Sequence, residues 1–154
     1  MTLFKKETVP NTDKAKPLTA SVSGTLLDIE NVPNAAISSK ILGDGFTIST
    51  EGGEVRCPVD GRIRDISDKG RTVSLRATDG LRLLINIDDR GSDELELSVC
   101  KGDQVAAGDV LCSIGEAVVS VVVTNSERLN LFEVRAGEVK SGSTVAVYKL
   151  RPKM

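Results

Sequence analysis

The chain has 154 residues, the length of one domain, with 20 basic and 22 acidic residues for a net charge of -2 and no histidine. That balance argues against the cationic footprint of a nucleic-acid binder, and an aromatic content of 3% removes the stacking platforms that single-strand binders use. The 40% hydrophobic fraction is carried by Val, Leu, Ile and Ala, and 14 glycines scattered among short runs of them predict many short strands joined by tight turns.

Residues 1–17 are polar and lack periodicity, and they predict a flexible N-terminal tail ahead of a β domain over 18–154. The opening Met1-Thr-Leu-Phe-Lys-Lys6 is too short for stable membrane anchoring. No apolar run reaches transmembrane length and no signal-peptide core is present, so the expectation is a cytoplasmic protein without stable membrane insertion. Cys57, Cys100 and Cys112 lack metal-ligand spacing and read as small hydrophobes, so neither a metal nor a cofactor is expected.

From Leu18 the pattern repeats. Ser23-Gly24-Thr-Leu26-Leu-Asp28-Ile29 returns as Asp60-Gly61-Arg-Ile63-Arg-Asp65-Ile66, and Val105-Ala-Ala-Gly108 returns as Val139-Lys-Ser-Gly142. Two kinds of unit, each present twice, predict two similar β layers made by duplication, with each glycine at a turn of positive φ. Ala117 to Thr124 is almost continuously apolar and β-branched, as a strand buried on both faces would be. Asn125 or Ser126 is positioned to cap a helical turn over Glu127–Leu131. The fold class expected is an all-β flattened antiparallel sandwich or barrel with one or two short helical turns.

Asp79-Gly80 is a strong signal for a two-residue type I′ hairpin turn. Its register sets Thr78 opposite Leu81, Val73 opposite Asn86 and Arg71 opposite Asp88. Arg71, Val73, Leu75, Arg82, Leu84, Asn86 and Asp88 then share one face, and Ser74, Leu83, Ile85 and Ile87 share the core face. The basic residues Arg62, Arg64, Lys69, Arg71, Arg82 and Arg90 are interleaved with Asp65, Asp68, Asp79 and Asp88, which reads as a solvated sheet face.

Val32-Pro33-Asn34, Lys40-Ile41-Leu-Gly43-Asp44-Gly45, Pro58-Val59-Asp60-Gly61, the strand Gly80 to Asp88 and the Val105–Asp109 turn follow one another in an order and spacing that resembles a known family. It is the glucose-class enzyme IIA component of the phosphoenolpyruvate-dependent sugar phosphotransferase system. The resemblance spans roughly residues 20 to 150. It implies a flattened β-sandwich with a shallow active-site depression that is also the docking face for partner proteins. It also implies a phosphoryl-carrying histidine at Asn86 and a second histidine at Arg71. The threonine that orients the second histidine falls on Lys69, an acidic rim residue on Arg90, and aromatic positions on Ser67, Val73 and Leu84.

Neither replacement performs that chemistry. The Asn86 amide nitrogen is not nucleophilic, and Arg71 stays protonated and can only donate hydrogen bonds. The reading is a catalytically inert enzyme IIA-like domain that serves as a regulatory or protein-interaction module, with phosphotransferase system proteins among the possible partners. Its candidate interaction face comprises Asn34, Ile37, Lys69, Arg71, Val73, Arg82, Leu84, Asn86, Asp88 and Arg90. Two alternatives stand beside it. One is phosphoryl transfer through Asp88, Asp89, Cys100 or Cys112; the other is a small-anion or sugar-phosphate module using Arg71, Arg82 and Asn86. The Gly102–Leu111 run is similar to the turn of biotinyl and lipoyl carrier domains, but no lysine follows where those domains are modified.

Overall fold

A computed structural model of the chain describes residues 15–29, 35–40 and 42–152. The expected tail over 1–17 falls mostly outside the described residues, as does Val32-Pro33-Asn34. The first strand among the described residues, β1 (Lys16–Thr19), begins two residues ahead of the expected domain boundary at Leu18.

The remaining strands are β2 (Gly24–Leu27), β3 (Asp44–Thr50), β4 (Gly53–Arg56), β5 (Gly61–Ser67), β6 (Thr72–Ala77), β7 (Arg82–Asp88), β8 (Gln104–Val105), β9 (Val110–Ile114), β10 (Ala117–Val123), β11 (Leu129–Val134), β12 (Glu138–Val139) and β13 (Thr144–Leu150). Among the described residues between β2 and β3 lies a short helix, α1 (Ala35–Ser38). All pairings are antiparallel: an eight-stranded sheet in the order β12-β2-β3-β10-β7-β6-β5-β8, a three-stranded sheet β11-β13-β1 and a two-stranded sheet β9-β4. The all-β sandwich expectation holds.

β10 is the centre of the large sheet, paired on one side with β3 and on the other with β7. Val119, Val121 and Val123 enter the main core, while Val122 packs outward with Ile29 and Ile37 in a smaller cluster bordered by Leu42, Leu84 and Val118. Ser120 is also buried, and its hydroxyl meets that of Thr47 at 3.0 Å. Burying a valine side chain contributes about 1.5–3 kcal/mol, against about 0.5–1.5 kcal/mol for a neutral hydrogen bond. The valines hold the strand in place, and the hydroxyl pair satisfies groups that burial would otherwise orphan.

The duplication is visible in equivalent pairings. Val139 lies opposite Gly24 as Val105 lies opposite Gly61, and Glu138 faces Thr25 as Gln104 faces Arg62. Gly142 N donates to Ala20 O as Gly108 N donates to Cys57 O. Gly108 and Gly142 have φ of 97° and 86°, the positive values expected of turns. Gly24 and Gly61 do not. They are glycines because a Cβ there would overlap the backbone carbonyls of Ser49 and Arg76, so strand approach and not turn geometry selects the residue.

Between β7 and β8 the chain runs through an irregular stretch over 89–103. It follows the body of the protein because Leu95, Leu97 and Val99 pack against the core, with Leu95 N bonded to Lys69 O and Ser98 N to Leu111 O.

Candidate functional site

The β6–β7 hairpin differs from the expected register by one residue. Thr72 lies opposite Asn86, Val73 opposite Ile85, Ser74 opposite Leu84, Leu75 opposite Leu83 and Arg76 opposite Arg82. Thr78, Asp79 and Gly80 form the loop. Gly80 N bonds to Ala77 O, Ala77 N bonds to Leu81 O, and Gly80 takes φ of 101°. A turn followed by a left-handed glycine is the three-residue hairpin loop, and Asp79 reinforces it by accepting the Leu81 amide at 3.1 Å. Because strand side chains alternate, a one-residue slip moves every β6 side chain to the other face. Val73 and Leu75 are therefore buried in the core, at 0% and 1% exposure, and Ser74 joins the outer face.

The outer face thus carries Thr72, Ser74 and Arg76 from β6 beside Arg82, Leu84, Asn86 and Asp88 from β7. Val73 is removed from the candidate face by its burial. Ile37 is also buried, 1% exposed, in the small apolar cluster that Leu84 borders. Lys69 and Arg90 are exposed near the Asn86 end of the hairpin, and Arg82 is exposed at its turn end. Asn34 lies outside the described residues.

Arg71 is not opposite Asp88. It caps a short 3₁₀ turn over Asp68–Gly70 with φ of -83° and ψ of -12°, just outside β6. Its carbonyl accepts the Ile87 amide. Its guanidinium reaches Asp89 instead, with Nε at 2.8 Å from Oδ1, while Nη1 donates to the Asp93 carbonyl at 2.7 Å. The hydrogen bond from Arg71 holds the Asp89 carboxyl below the usual carboxylate range, helped by the Gly91 amide. The turn that aims Arg71 is conformationally costly: Asp68, Lys69 and Gly70 have φ of 54°, 56° and 89°. A left-handed conformation costs roughly 1–2 kcal/mol for a non-glycine residue. The turn is retained by Arg71 N to Asp68 O and Leu95 N to Lys69 O.

Asn86 has its own partners. Its Nδ2 donates to Thr72 Oγ1 at 3.3 Å, and Thr72 Oγ1 donates to Asp68 Oδ2 at 2.7 Å. Both positions at which the family resemblance implies a histidine are therefore tied into internal networks by side chains that cannot act as nucleophiles. Thr72 is not singled out by the sequence, and Asp89 is named there only as a candidate phosphoacceptor, not as the partner of Arg71. A three-residue reading of Thr78-Asp79-Gly80 places Thr72 beside Asn86, whereas Asp89 as the Arg71 partner depends on the unusual turn at 68–70.

The remaining phosphoacceptor candidates divide. Cys112 is buried, and burial pushes its thiol up to about 11; Cys57 is pushed to about 11 for the same reason. Cys100 and Asp88 are accessible. Among the described residues no group of three or more Cys, Asp or Glu side chains is arranged to hold a metal ion.

Asn125 does not cap the 3₁₀ turn at Ser126–Arg128 with its side chain, and Leu129–Leu131 begin β11 instead of extending a helix. Its amide locks the hairpin, accepting from Arg82 N at 2.9 Å and donating to Gly80 O at 3.0 Å.

Comparison with known proteins covers most of this architecture. A family model described as phosphoenolpyruvate-dependent sugar phosphotransferase system, EIIA 1, matches residues 16–129. The chain is 34% identical over 142 residues to the glucose-specific EIIA component of Halalkalibacterium halodurans, covering 83% of this chain and 82% of that protein. It is 30% identical to the glucose-specific EIIA component of Haemophilus influenzae, covering 83% and 85%. Against the glucoside-specific EIICBA component of Staphylococcus carnosus the identity is 27%, and the chain spans 20% of that longer protein. The solved structure of glucose permease IIA from Mycoplasma capricolum superposes with a TM-score of 0.75 at 23% identity, covering 88% of this chain and 96% of the other, which bears on the fold alone.

Proposed function

The chain belongs to the EIIA 1 family of the phosphoenolpyruvate-dependent sugar phosphotransferase system, and from that premise we propose that it is a member without phosphohistidine chemistry, acting as a protein-interaction or regulatory module. One observation carries this reading. The chain has no histidine, and the two positions where the family resemblance implies one hold Arg71, bonded to Asp89 and Asp93, and Asn86, bonded to Thr72.

The docking surface in this reading is the outer face of β6 and β7. Leu84 supplies a half-buried apolar centre, Asn86 and Asp88 a polar flank, and Lys69, Arg82 and Arg90 exposed cations around it. A patch with an apolar middle and a polar rim is the usual anatomy of a modest protein interface. Lys69 and Arg90 shift the rim toward positive charge, so the partner is a protein whose surface differs from that read by a histidine-bearing member. Among the described residues no helix is long and apolar enough to cross a membrane. We place the module in the cytoplasm, where phosphotransferase partners act.

Two measurements test the proposal. Incubation of the full chain with phosphoenolpyruvate and the general phosphotransferase enzymes, followed by intact-mass spectrometry, is expected to leave the mass unchanged. Gain of one phosphoryl group would overturn the inert-module reading in favour of transfer through an aspartate or cysteine. Affinity capture with the full chain, repeated with Leu84→Glu and Asn86→Lys, is expected to lose the specific partner. A partner retained by both variants would refute the docking face.

A further inference from the structure

The turn end of the same hairpin holds an arrangement of which the docking reading uses only Arg82. Arg76 and Arg82 are directly opposite one another on β6 and β7. Their Cα atoms are about 4.5–5.5 Å apart, as for any facing antiparallel pair. Arg62 lies opposite Arg76 on the far side, from β5, and turns its Nη1 to the Gly102 carbonyl at 2.7 Å. β5 carries a bulge between Ile63 and Asp65, and Arg64 is its extra residue.

Arg64, Arg76 and Arg82 meet around a hollow of about 210 Å³ that also has Ser74 and Thr124 on its wall and Leu75 and Leu83 beneath. A second hollow of about 360 Å³ adjoins it through the same Arg76 and Arg82 and is edged by Glu127 and Arg128.

Like charges directly opposite on neighbouring strands are destabilising, and a bulge is an independent structural feature that brings in a third. Among the described residues no ion pair or hydrogen bond engages the guanidinium group of Arg64, Arg76 or Arg82. Nearby acids are directed elsewhere or remain at the edge. Asp79 accepts from Tyr148 at 2.7 Å and from Lys16 at 3.3 Å, Asp68 accepts from Thr72, and Glu127 borders only the outer hollow. Arg71, which the sequence had offered to an anion site with Arg82 and Asn86, is occupied by Asp89.

We propose that Arg64, Arg76 and Arg82, with the hydroxyls of Ser74 and Thr124, form a site for a phosphate monoester, a compact doubly charged oxyanion. Guanidinium forks suit phosphate oxygens, and each such charge-assisted contact is about twice as strong as a neutral hydrogen bond. The small hollow and the directly facing pair favour one dense anion. An extended acidic segment would set its same-side carboxylates about 6.6–6.8 Å apart, wider than the facing arginines. The phosphate can be carried by a small metabolite or by a phosphorylated protein side chain, and both present the same chemistry. The site does not depend on the docking proposal, and either can fail alone.

The test is nuclear magnetic resonance titration of the full-length chain, labelled with nitrogen-15, at constant ionic strength. Inorganic phosphate, a hexose 6-phosphate, a phosphoserine peptide and an oligoglutamate peptide are the probes. Saturable shifts confined to the Nε–H groups of Arg64, Arg76 and Arg82 and the amides of Ser74 and Thr124 are expected. The hexose phosphate and phosphopeptide arms identify the source. Arg76→Gln and Arg82→Gln are each expected to weaken binding by about tenfold while leaving the fold's amide spectrum intact. The site is overturned if no phosphate probe saturates, if both variants bind as wild type, or if shifts spread evenly over the surface lysines. Tighter binding of oligoglutamate than of every phosphate probe would also overturn it, in favour of an acidic protein segment.

Discussion

Arg71 holds Asp89, with Nε at 2.8 Å from Oδ1, and leaves Asp88 to the neighbouring outer face of β7. The guanidinium also grips the Asp93 carbonyl at 2.7 Å, so one side chain just ahead of β6 holds two points of the irregular stretch over 89–103. The replacement at a position where the family resemblance implies a histidine has become a structural clasp. Its loss is expected to loosen that stretch before it disturbs the sheet.

The pH dependence follows from this pair. The Arg71 hydrogen bond lowers the Asp89 pKa in the folded state. The stabilisation is therefore present above the unfolded carboxylate value of about 3.9 and is lost as pH falls through the lower folded value. Urea midpoints of Asp89→Asn measured between neutral and acid pH should decline less steeply than wild type below that value. An acid limb of Asp89→Asn as steep as that of wild type would show that the Arg71–Asp89 assignment is wrong.

Gly61→Ala is expected to cost more than Gly108→Ala. An alanine Cβ at 61 would overlap the Arg76 carbonyl, whereas at 108 no heavy atom lies within 4 Å and only the φ of 97° opposes it. The second change should cost roughly 1–2 kcal/mol. Equilibrium urea unfolding of both variants gives the comparison, and equal losses would contradict the close-approach account.

Asn125→Ala should cost about 1–3 kcal/mol, because it removes two hydrogen bonds from a buried side chain and leaves the Arg82 amide and Gly80 carbonyl to find water. Amide hydrogen exchange should speed up at Arg82 more than at Ile85 in the middle of β7. Unchanged protection at Arg82 would show that the amide lock does not hold the hairpin end.

The cysteines are expected to separate by reactivity. Burial raises Cys57 and Cys112 to about 11, leaving few thiolates at neutral pH, whereas Cys100 is exposed. Brief alkylation of the native chain followed by peptide mass spectrometry should label Cys100 alone, and labelling in denaturant should reach all three. Early modification of Cys112 would reopen it as a phosphoacceptor.

Removing one charge from the Arg76–Arg82 pair should stabilise the anion-free protein. Facing like charges oppose each other by an amount comparable to the roughly 0.2–1 kcal/mol of a favourable cross-strand pair. Arg76→Gln should therefore raise the melting temperature at low salt, with the difference shrinking as salt screens the repulsion. A lower melting temperature in low salt would mean that Arg76 has a stabilising partner within the chain.

Much of the fold was legible in the sequence because it depends on short-range rules. Glycine-punctuated aliphatic runs specified an all-β domain, the uninterrupted β-branched run from Ala117 placed a strand buried on both sides, and two repeated units announced the duplication that the paired strands display. The absence of histidine is likewise a matter of sequence alone. Register was decided by something subtler. Asp79-Gly80 fits either a two-residue or a three-residue loop, and the choice of three rotated β6 by one position, burying Val73 and exposing Ser74.

The partners of the charged side chains were decided only in three dimensions. Three successive left-handed residues at 68–70 aim Arg71 at Asp89, and packing of Leu95, Leu97 and Val99 brings Asp93 within its reach. A mixed list of arginines and aspartates along the chain reads as a neutralised surface. Strand pairing separated them, sending Asp79 to Tyr148 and gathering Arg64, Arg76 and Arg82 around one hollow. Charge counts are sums over the whole chain, but an ion pair needs its two groups within about 4 Å, and that distance is set by tertiary structure.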